Sequence, residues 1–362
     1  MRRGPIGFAR LGTALGAVAL VLAAARADGQ AVIKVNDDVN FKFGVLLQGQ
    51  ADWLESSTAD DWQQNLFLRR MRLLVGGNIA KNVSFFFETD SPNLGKTVGG
   101  TKTGASMIVQ DAFLSWKLAE EFTIDGGLIL TGIAHNSLQS AASLLPIDYG
   151  AYSFDFSRPT QNVTGRDTGF QLRGYPFAKK LEYRVGVWSG QRDSASKQSF
   201  RTTARLQYNF LDADTGFFYS GTSLGKKKIL AVGAGCDAQK DYKSYAADVY
   251  VDLPVGEGGA VSGQLDWIRS DGGETFTNLP KQDVIYAEGG YYLKAVKLMP
   301  FFTYGNKNVA STEAGDEDRW SVGIGYMAFG HNMNVKAAYG KIDPKNGKSV
   351  DQFTIQLQGF YF

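Results

Sequence analysis

Two short motifs in the 362-residue sequence contain residue types that could support chemistry. Gly221–Gly225 reads G-T-S-L-G and matches the nucleophile elbow of serine hydrolases, in which a strand precedes the serine and a helix follows it. Gly233–Ala238 matches a dinucleotide-binding turn, which also requires a following helix. The run Lys226–Gly235 reads as another strand, and no helical pattern follows Ala238. The sequence therefore predicts neither a hydrolase nor a nucleotide cofactor.

Metal and redox chemistry have few candidate residues. A single cysteine, Cys236, excludes an internal disulfide framework and a cysteine-based zinc or iron–sulfur site. The two histidines, His135 and His331, are far apart in sequence and leave little room for a histidine-ligated metal. We therefore expect no metal and no cofactor.

The remaining candidates are charged side chains in segments that alternate between polar and apolar residues. In Phe200–Phe210 the even positions are apolar or small, and the odd positions include Arg201 and Arg205. Successive side chains of a strand point to opposite faces, so each such segment has one apolar face and one polar face. The pattern predicts an all-β chain of about sixteen strands, near residues 39–54, 65–78, 83–90, 107–118, 122–131, 166–175, 181–189, 200–210, 228–237, 243–253, 259–270, 283–293, 297–306, 319–329, 333–340 and 351–362.

The connections between these strands alternate between short turns and long polar loops, with residues 211–227 as the exception. That alternation, over an even number of strands, is typical of a transmembrane antiparallel up-and-down β-barrel. A soluble sandwich is the alternative. Aromatic residues near segment ends, the charge on the polar faces and the final Phe362 favour a barrel, because lipid offers no partner to an open sheet edge. In the last strand, Ile355 and Leu357 predict that odd-numbered residues face outward, whereas Phe360 and Phe362 predict that even-numbered residues do. This conflict suggests a bulge.

Residues 1–27 are predicted to be a secretory signal peptide, which leaves residues 28–362 as the barrel domain. Arg2, Arg3 and Arg10 precede an apolar run, and Ala25-Arg26-Ala27 offers a cleavage site. An N-terminal membrane anchor is the alternative, although the run is short for one. Beyond the leader, 34 basic residues face 36 acidic ones, which argues against a nucleic-acid partner. The expected location is the bacterial outer membrane.

The polar face of each strand is expected to line a water-filled lumen. Its candidate selectivity residues are a basic group on neighbouring strands and an acidic group on later strands: Arg70, Arg72, Arg173, Arg184, Arg201 and Arg205, and Asp248, Asp252, Asp266 and Glu288. Basic and acidic walls facing each other would create a transverse field that sorts ions. Alternatively, the arginines pair with Glu88, Asp167 or Glu182 and only satisfy a polar interior. A barrel phospholipase or protease would pair a histidine with a serine or an aspartate, and neither histidine has such a companion at a lumen-facing strand position.

The long connection Gly132–Gly165 is the candidate constriction loop. It follows the fifth predicted strand and carries Asp148, Asp155 and Arg158. Folded inward, it would narrow the channel. A loop that stays outside the barrel is the alternative.

Several motifs resemble the phosphate-selective porin O and P family, over most of the chain after the leader. They are Phe67–Leu73 (FLRRMRL), Asp111–Trp116 (DAFLSW), Arg166–Leu172 (RDTGFQL), Leu181–Gly190 (LEYRVGVWSG), Gly221–Gly225 and Gly233–Gly235. The resemblance implies a sixteen-stranded outer-membrane porin, usually trimeric, with an arginine-bearing pore and often a preference for anions. The chain departs from the family pattern at Gly127–Ile133, where the family commonly has a lysine and a Pro-Phe pair.

The functional expectation is passive diffusion of small hydrophilic solutes or ions through a homotrimeric porin in outer-membrane lipid, with anions such as phosphate preferred. Two other classes remain open: a barrel enzyme of the phospholipase or protease type, and a structural barrel that conducts no ions.

Overall fold

The computed structural model describes residues 31–155, 165–310 and 315–362. Its elements are β1 (Ala31–Lys34), β2 (Asn40–Glu55), β3 (Trp62–Ala80), β4 (Val83–Asp90), β5 (Thr97–Val98), β6 (Thr101–Lys102), β7 (Ile108–Ala119), β8 (Phe122–Leu130), α1 (His135–Leu138), β9 (Arg166–Gly174), β10 (Leu181–Trp188), β11 (Arg201–Asn209), β12 (Ile229–Gln239), β13 (Tyr242–Val255), β14 (Gly259–Asp271), β15 (Gln282–Leu293), β16 (Leu298–Val309), β17 (Glu317–Tyr326), β18 (Met333–Pro344) and β19 (Val350–Tyr361). No helix in these ranges is long and apolar enough to cross a membrane.

Sixteen of the described strands, β2 to β4 and β7 to β19, form one closed antiparallel barrel. The barrel closes where β19 pairs with β2, from Gln352 opposite Leu54 to Tyr361 opposite Val45. Beyond the end of β19, the short strand β1 pairs with residues 40–43 of β2. The predicted closure of first strand on last is confirmed, and closure leaves no sheet edge exposed to lipid.

The strand parity follows the sequence pattern. On β11, Leu206 and Tyr208 are exposed, whereas Arg201 and Arg205 are buried in the barrel interior. The bulge suggested for the last strand is wrong, because β19 pairs with both neighbours without a register shift. Phe360 and Phe362 instead belong to the inward-facing set and pack against an internal apolar cluster.

A bulge does occur on β3. Arg70 lies opposite Gln48 and Leu68 lies opposite Gly49, so Arg69 is an extra residue with no partner position on β2. A bulge breaks the strict alternation of side chains. As a result, the successive residues Arg69 and Arg70 both reach the interior.

The barrel has a long-loop end and a short-turn end, where the chain terminates. Residues 91–107 and 131–165 connect strands at the long-loop end, and two-residue turns such as Lys81–Asn82 connect strands at the short-turn end. The alternation is not strict. Residues 210–228 are long but lie at the short-turn end, and Lys240–Asp241 is short but lies at the long-loop end.

Candidate functional site

The connection 131–165, here called the inner loop, folds into the barrel along its described residues 131–155. Ile133, Ala134 and Leu138 are almost completely buried. The short helix α1 begins directly after Ala134 and ends at Leu138. Lys336 Nζ on β18 donates to the carbonyl oxygen of Leu144 at 2.5 Å and to that of Pro146 at 2.7 Å. The predicted inward fold is therefore present, and the alternative of an external loop is wrong for this part of the connection. Arg158 lies outside the described residues.

Asp148 attaches the inner loop to the bulge on β3. Its carboxylate accepts from Arg69 Nε and from Arg70 Nη2, both at 2.6 Å. Burial alone would raise the pKa of Asp148, but the two guanidinium groups hold it well below its usual range. Asp148 is thus a fixed negative charge on the loop, and Arg70 is held against Gln48 Oε1 as well.

His135 anchors the inner loop on the opposite wall. Its ring is stacked between Tyr219 and Tyr250, with centroids 4.9 Å and 4.0 Å away, and its Nδ1 lies 2.8 Å from Gln264 Oε1 on β14. The hydrogen-bonding companion of the ring is therefore an amide side chain, and not the serine or aspartate that a barrel phospholipase or protease would use. Burial lowers the pKa of His135 to about 4, so the ring is neutral at pH 7.

Residues 210–228, here called the return segment, also enter the barrel, from the short-turn end. Tyr219 is completely buried and forms a parallel bridge with Gln139 of the inner loop. The Tyr219 N–H donates to the Leu138 carbonyl oxygen at 2.9 Å, and the Thr222 N–H donates to that of Ser143 at 3.0 Å. The two segments therefore meet inside the barrel and are joined by backbone hydrogen bonds.

The G-T-S-L-G motif lies in the return segment and serves this packing. The Ser223 N–H donates to Asp252 Oδ2 at 2.7 Å, and Ser262 Oγ donates to Asp252 Oδ1 at 2.7 Å. The strand β12 follows the motif, as the sequence predicts. The predicted lumen residue Asp252 therefore holds the return segment in place.

The predicted lumen arginines all lie inside the barrel, and each forms an ion pair. The shortest contacts join Arg72 to Glu88 at 2.8 Å and to Asp90 at 2.9 Å, Arg173 to Asp125 at 2.7 Å, Arg184 to Glu182 at 2.6 Å, and Arg201 to Asp167 at 3.3 Å and to Asp237. Except for Arg72, these pairs lie on β8 to β12. This arrangement favours the alternative in which the arginines pair with carboxylates to satisfy the polar interior of the barrel, instead of selecting ions.

The predicted separation into a basic wall and an acidic wall is wrong for Asp248. Arg205 Nη1 and Nη2 donate to its two carboxylate oxygens at 2.5 and 2.9 Å. Asp266 Oδ1 accepts from the Asn136 N–H of the inner loop at 3.5 Å, and Glu288 Oε2 accepts from Tyr286 at 2.6 Å. Asp248, Asp266 and Glu288 thus contact Arg205, the inner loop and Tyr286, rather than facing an arginine wall across water.

A cavity of about 760 Å³ occupies the half of the barrel towards the long-loop end. Among the described residues, its lining includes seven basic and four acidic side chains: Arg69, Arg70, Arg72, Lys96, Arg166, Arg319 and Lys341, and Asp52, Asp90, Asp148 and Asp155. A second cavity of about 100 Å³ lies towards the short-turn end. Arg72, Tyr149 and Arg166 line both cavities, so these three residues lie where the two cavities adjoin.

Four of these cations were not singled out from the sequence: Arg69, Lys96, Arg166 and Lys341. For Arg69 the signal is present, because the apolar positions of β3 change from even (Leu66, Leu68) to odd (Met71, Leu73), as an inserted residue requires. Arg166 pairs with Asp111 at 2.9 Å, where the inner loop returns to the wall. In the described part of the chain, no group of three or more His, Cys, Asp or Glu side chains is placed to hold a metal ion.

The family model described as phosphate-selective porin O and P matches residues 41–228. The chain belongs to this family. It is therefore a porin, a channel-forming barrel of the outer membrane, and the predicted resemblance is confirmed. A comparison with curated proteins found no match.

Solved structures show the same fold as this porin. OmpF of Salmonella typhi, solved in complex with daunomycin, is 16% identical and aligns over 91% of this chain and 100% of its own, with a TM-score of 0.64. An anion-selective porin from Comamonas acidovorans is 9% identical over 89% and 100%, with a TM-score of 0.60. A trimer form of OmpT from Vibrio cholerae is 15% identical over 90% and 100%, with a TM-score of 0.53.

Proposed function

We propose that this porin is a passive diffusion channel that admits small hydrophilic solutes or ions and prefers anions such as phosphate and other oxyanions. The observation that carries the proposal is the excess of basic over acidic side chains around the 760 Å³ cavity. Charged side chains lining a narrow pore sort ions by attraction and repulsion. Transport needs no covalent step, because the solute moves down its own gradient.

Arg72 is well placed to act on the solute, because it borders both cavities. Its ion pairs to Glu88 and Asp90 use Nη1 and Nε, which leaves Nη2 to donate to a passing oxyanion. A guanidinium group stays charged at every physiological pH and presents a planar set of donors to phosphate or carboxylate. Arg69 and Arg70 line the large cavity, where both are ion-paired with Asp148.

We also propose the mature form, the membrane location and the assembly of this porin. Residues 28–362 form the mature barrel after removal of residues 1–27, which lie outside the described residues, and outer-membrane lipid covers the apolar outer face. The assembly is a homotrimer, as in the trimer form of the OmpT structure. We propose no enzymatic role, because the side chains within hydrogen-bonding distance of the His135 ring belong to Gln264 and Gln139 rather than to a serine or an aspartate.

The experiment is to record ion currents of the purified porin in a planar lipid bilayer with a KCl gradient. Arg70→Ala with Arg72→Ala should move the reversal potential towards cation preference. Arg269→Ala is the matched control, because Arg269 pairs with Asp283 on the outer face. An unchanged reversal potential in the double variant would remove the two arginines from the selectivity site. A barrel that conducts no current would instead support the structural alternative.

A further inference from the structure

The short-turn half of this porin's lumen has an unusual lining. Polar residues line the inside of most porin barrels, but here the 100 Å³ cavity is bordered by Leu46, Leu74, Phe86, Phe360 and Phe362 of the wall. Phe218 of the return segment borders the same cavity. The inner wall of β2, β3, β4 and β19 is thus apolar over one stretch of the channel.

This apolar lining is an aromatic cluster centred on Phe86. The Phe86 ring lies 5.8 Å from Phe113, 5.8 Å from Phe218 and 5.7 Å from Phe362, measured between centroids. These are the separations of interacting aromatic pairs. A flat apolar group in this cavity would therefore contact ring edges and faces.

Cationic groups stand at the other end of the same cavity. Arg72 and Arg166 border it together with one carboxylate, Glu88, which is already paired with Arg72 at 2.8 Å. Along β3, Leu74 follows Arg72 on the inward face, two residues and about 7 Å further towards the short-turn end. Phe86 lies opposite Gly76, the next inward position. The guanidinium groups and the rings thus border one cavity from its two ends.

We propose that the transported anion is an organic monocarboxylate whose apolar body is no larger than a single ring, and that it binds with its carboxylate at Arg72 and its body against Phe86. This inference rests on the proposed function and specifies its substrate class. An inorganic oxyanion would meet the same guanidinium but would gain nothing from the rings. A neutral aromatic molecule would meet the rings but would gain nothing from the guanidinium.

The volume sets the size limit. An engineered closed cavity of roughly 150 Å³ in another protein holds one whole benzene molecule, so the cavity of about 100 Å³ here encloses at most part of a single ring. Arg72 and Tyr149 line both this cavity and the 760 Å³ cavity, so a carboxylate held at Arg72 lies where the two cavities adjoin and outside the smaller one. Fused-ring or long-chain anions are excluded by this size.

The test measures block of the chloride current through the full-length porin in a planar bilayer. The probes are sodium benzoate, sodium acetate, sodium phosphate and neutral benzamide, at constant ionic strength. Benzoate should halve the current at a concentration at least about tenfold below that of the other three, since burial of a ring is worth about one to two orders of magnitude in affinity. Equal half-block concentrations for benzoate and acetate, or strongest block by phosphate, would overturn the substrate class.

Two variants locate the effect. Phe86→Ala should remove most of the benzoate advantage and leave acetate block unchanged, whereas Phe87→Ala should change neither, because Phe87 faces outward on the same strand. Phe86→Leu should give a smaller loss in the same direction and serves if the alanine variant does not assemble. A benzoate advantage that survives both Phe86 variants would contradict the site. If benzoate fails to block but the reversal potential still shows anion preference, this inference alone is overturned. If the reversal potential shows no anion preference, the proposed function is overturned.

Discussion

Arg205 on β11 and Asp248 on β13 form a two-bond ion pair across the strand that separates them. Between them, β12 carries Gly233, where a Cβ atom would lie 2.6 Å from Asp248 Oδ1 and would also meet Arg205 Nη2. Arg205 also donates to the carbonyl oxygen of Ile133 at 2.9 Å, and Asp248 accepts from the His135 N–H at 3.2 Å. The missing side chain at Gly233 thus allows one ion pair to hold both the wall and the inner loop.

Gly233→Ala should therefore destabilise the folded barrel. The added methyl group would displace the ends of both side chains of a buried ion pair. Both charges remain, so the cost should be below the roughly 3 kcal/mol that removal of one partner would cause. The temperature at which the folded band disappears in heat-modifiability gels should fall. Gly289→Ala is the control, because nothing lies within 4 Å of a Cβ at that position. Equal unfolding temperatures for the two variants would show that the Arg205–Asp248 contact does not depend on Gly233.

Asp148→Asn should increase the preference for anions. The substitution removes a negative charge from the wall of the large cavity and releases Arg69 and Arg70 from their shared partner. In a KCl gradient the reversal potential should move further in the anion direction. Asp283→Asn removes an arginine-paired carboxylate from the outer face and should leave the potential unchanged. A shift of the same size in both variants would indicate a general charge effect instead of a local one.

Gly221→Ala should widen the channel. A Cβ atom at Gly221 would lie 2.6 Å from the Ser143 carbonyl oxygen and 2.7 Å from Leu144 Cα, so the return segment and the inner loop must separate. The single-channel conductance should rise, because a wider constriction between the two segments admits more ions. Gly258→Ala, in a short turn at the same end with no atom within 4 Å, is the matched control. Unchanged conductance in Gly221→Ala would mean that the ions pass elsewhere.

Acidification should weaken the docking of the inner loop. Burial lowers the pKa of His135 from 6.5 to about 4, with Asp248 opposing and Arg205 reinforcing the shift. Between these values the unfolded chain binds a proton that the folded chain does not, so stability is complete above pH 6.5 and falls as the pH drops towards 4. The loss is about 3 kcal/mol at most. His331 is shifted in the same direction to about 4, so it adds to the effect.

The measurement is the unfolding temperature in detergent between about pH 7.5 and about pH 4.5. His135→Gln should flatten this dependence, and the double variant with His331→Gln should flatten it further. An unaltered pH profile in the double variant would assign the dependence to carboxylates instead.

Much of the barrel could be predicted from alternation alone. Each predicted strand corresponds to an observed one, because lipid on one side and water on the other impose opposite requirements on neighbouring residues such as Leu206 and Arg205. The short strand β1 and the small hairpin β5–β6 were missed, since segments of two to four residues carry no periodic signal.

The interior was harder to predict. Phe360 and Phe362 face inward because the inner loop and the return segment supply an apolar core that the strand pattern does not reveal. The pairing of Arg205 with Asp248 depends on the register of three strands and on one glycine, which a single sequence does not specify. The inward path of the return segment left only one trace in the sequence, its unusual length.

The reversal potential of the unaltered porin in a planar bilayer with a KCl gradient tests the central claim most directly. An open channel with a potential near the chloride equilibrium value is the result that the basic lining of the large cavity predicts. A potential at zero or near the potassium equilibrium value would contradict it.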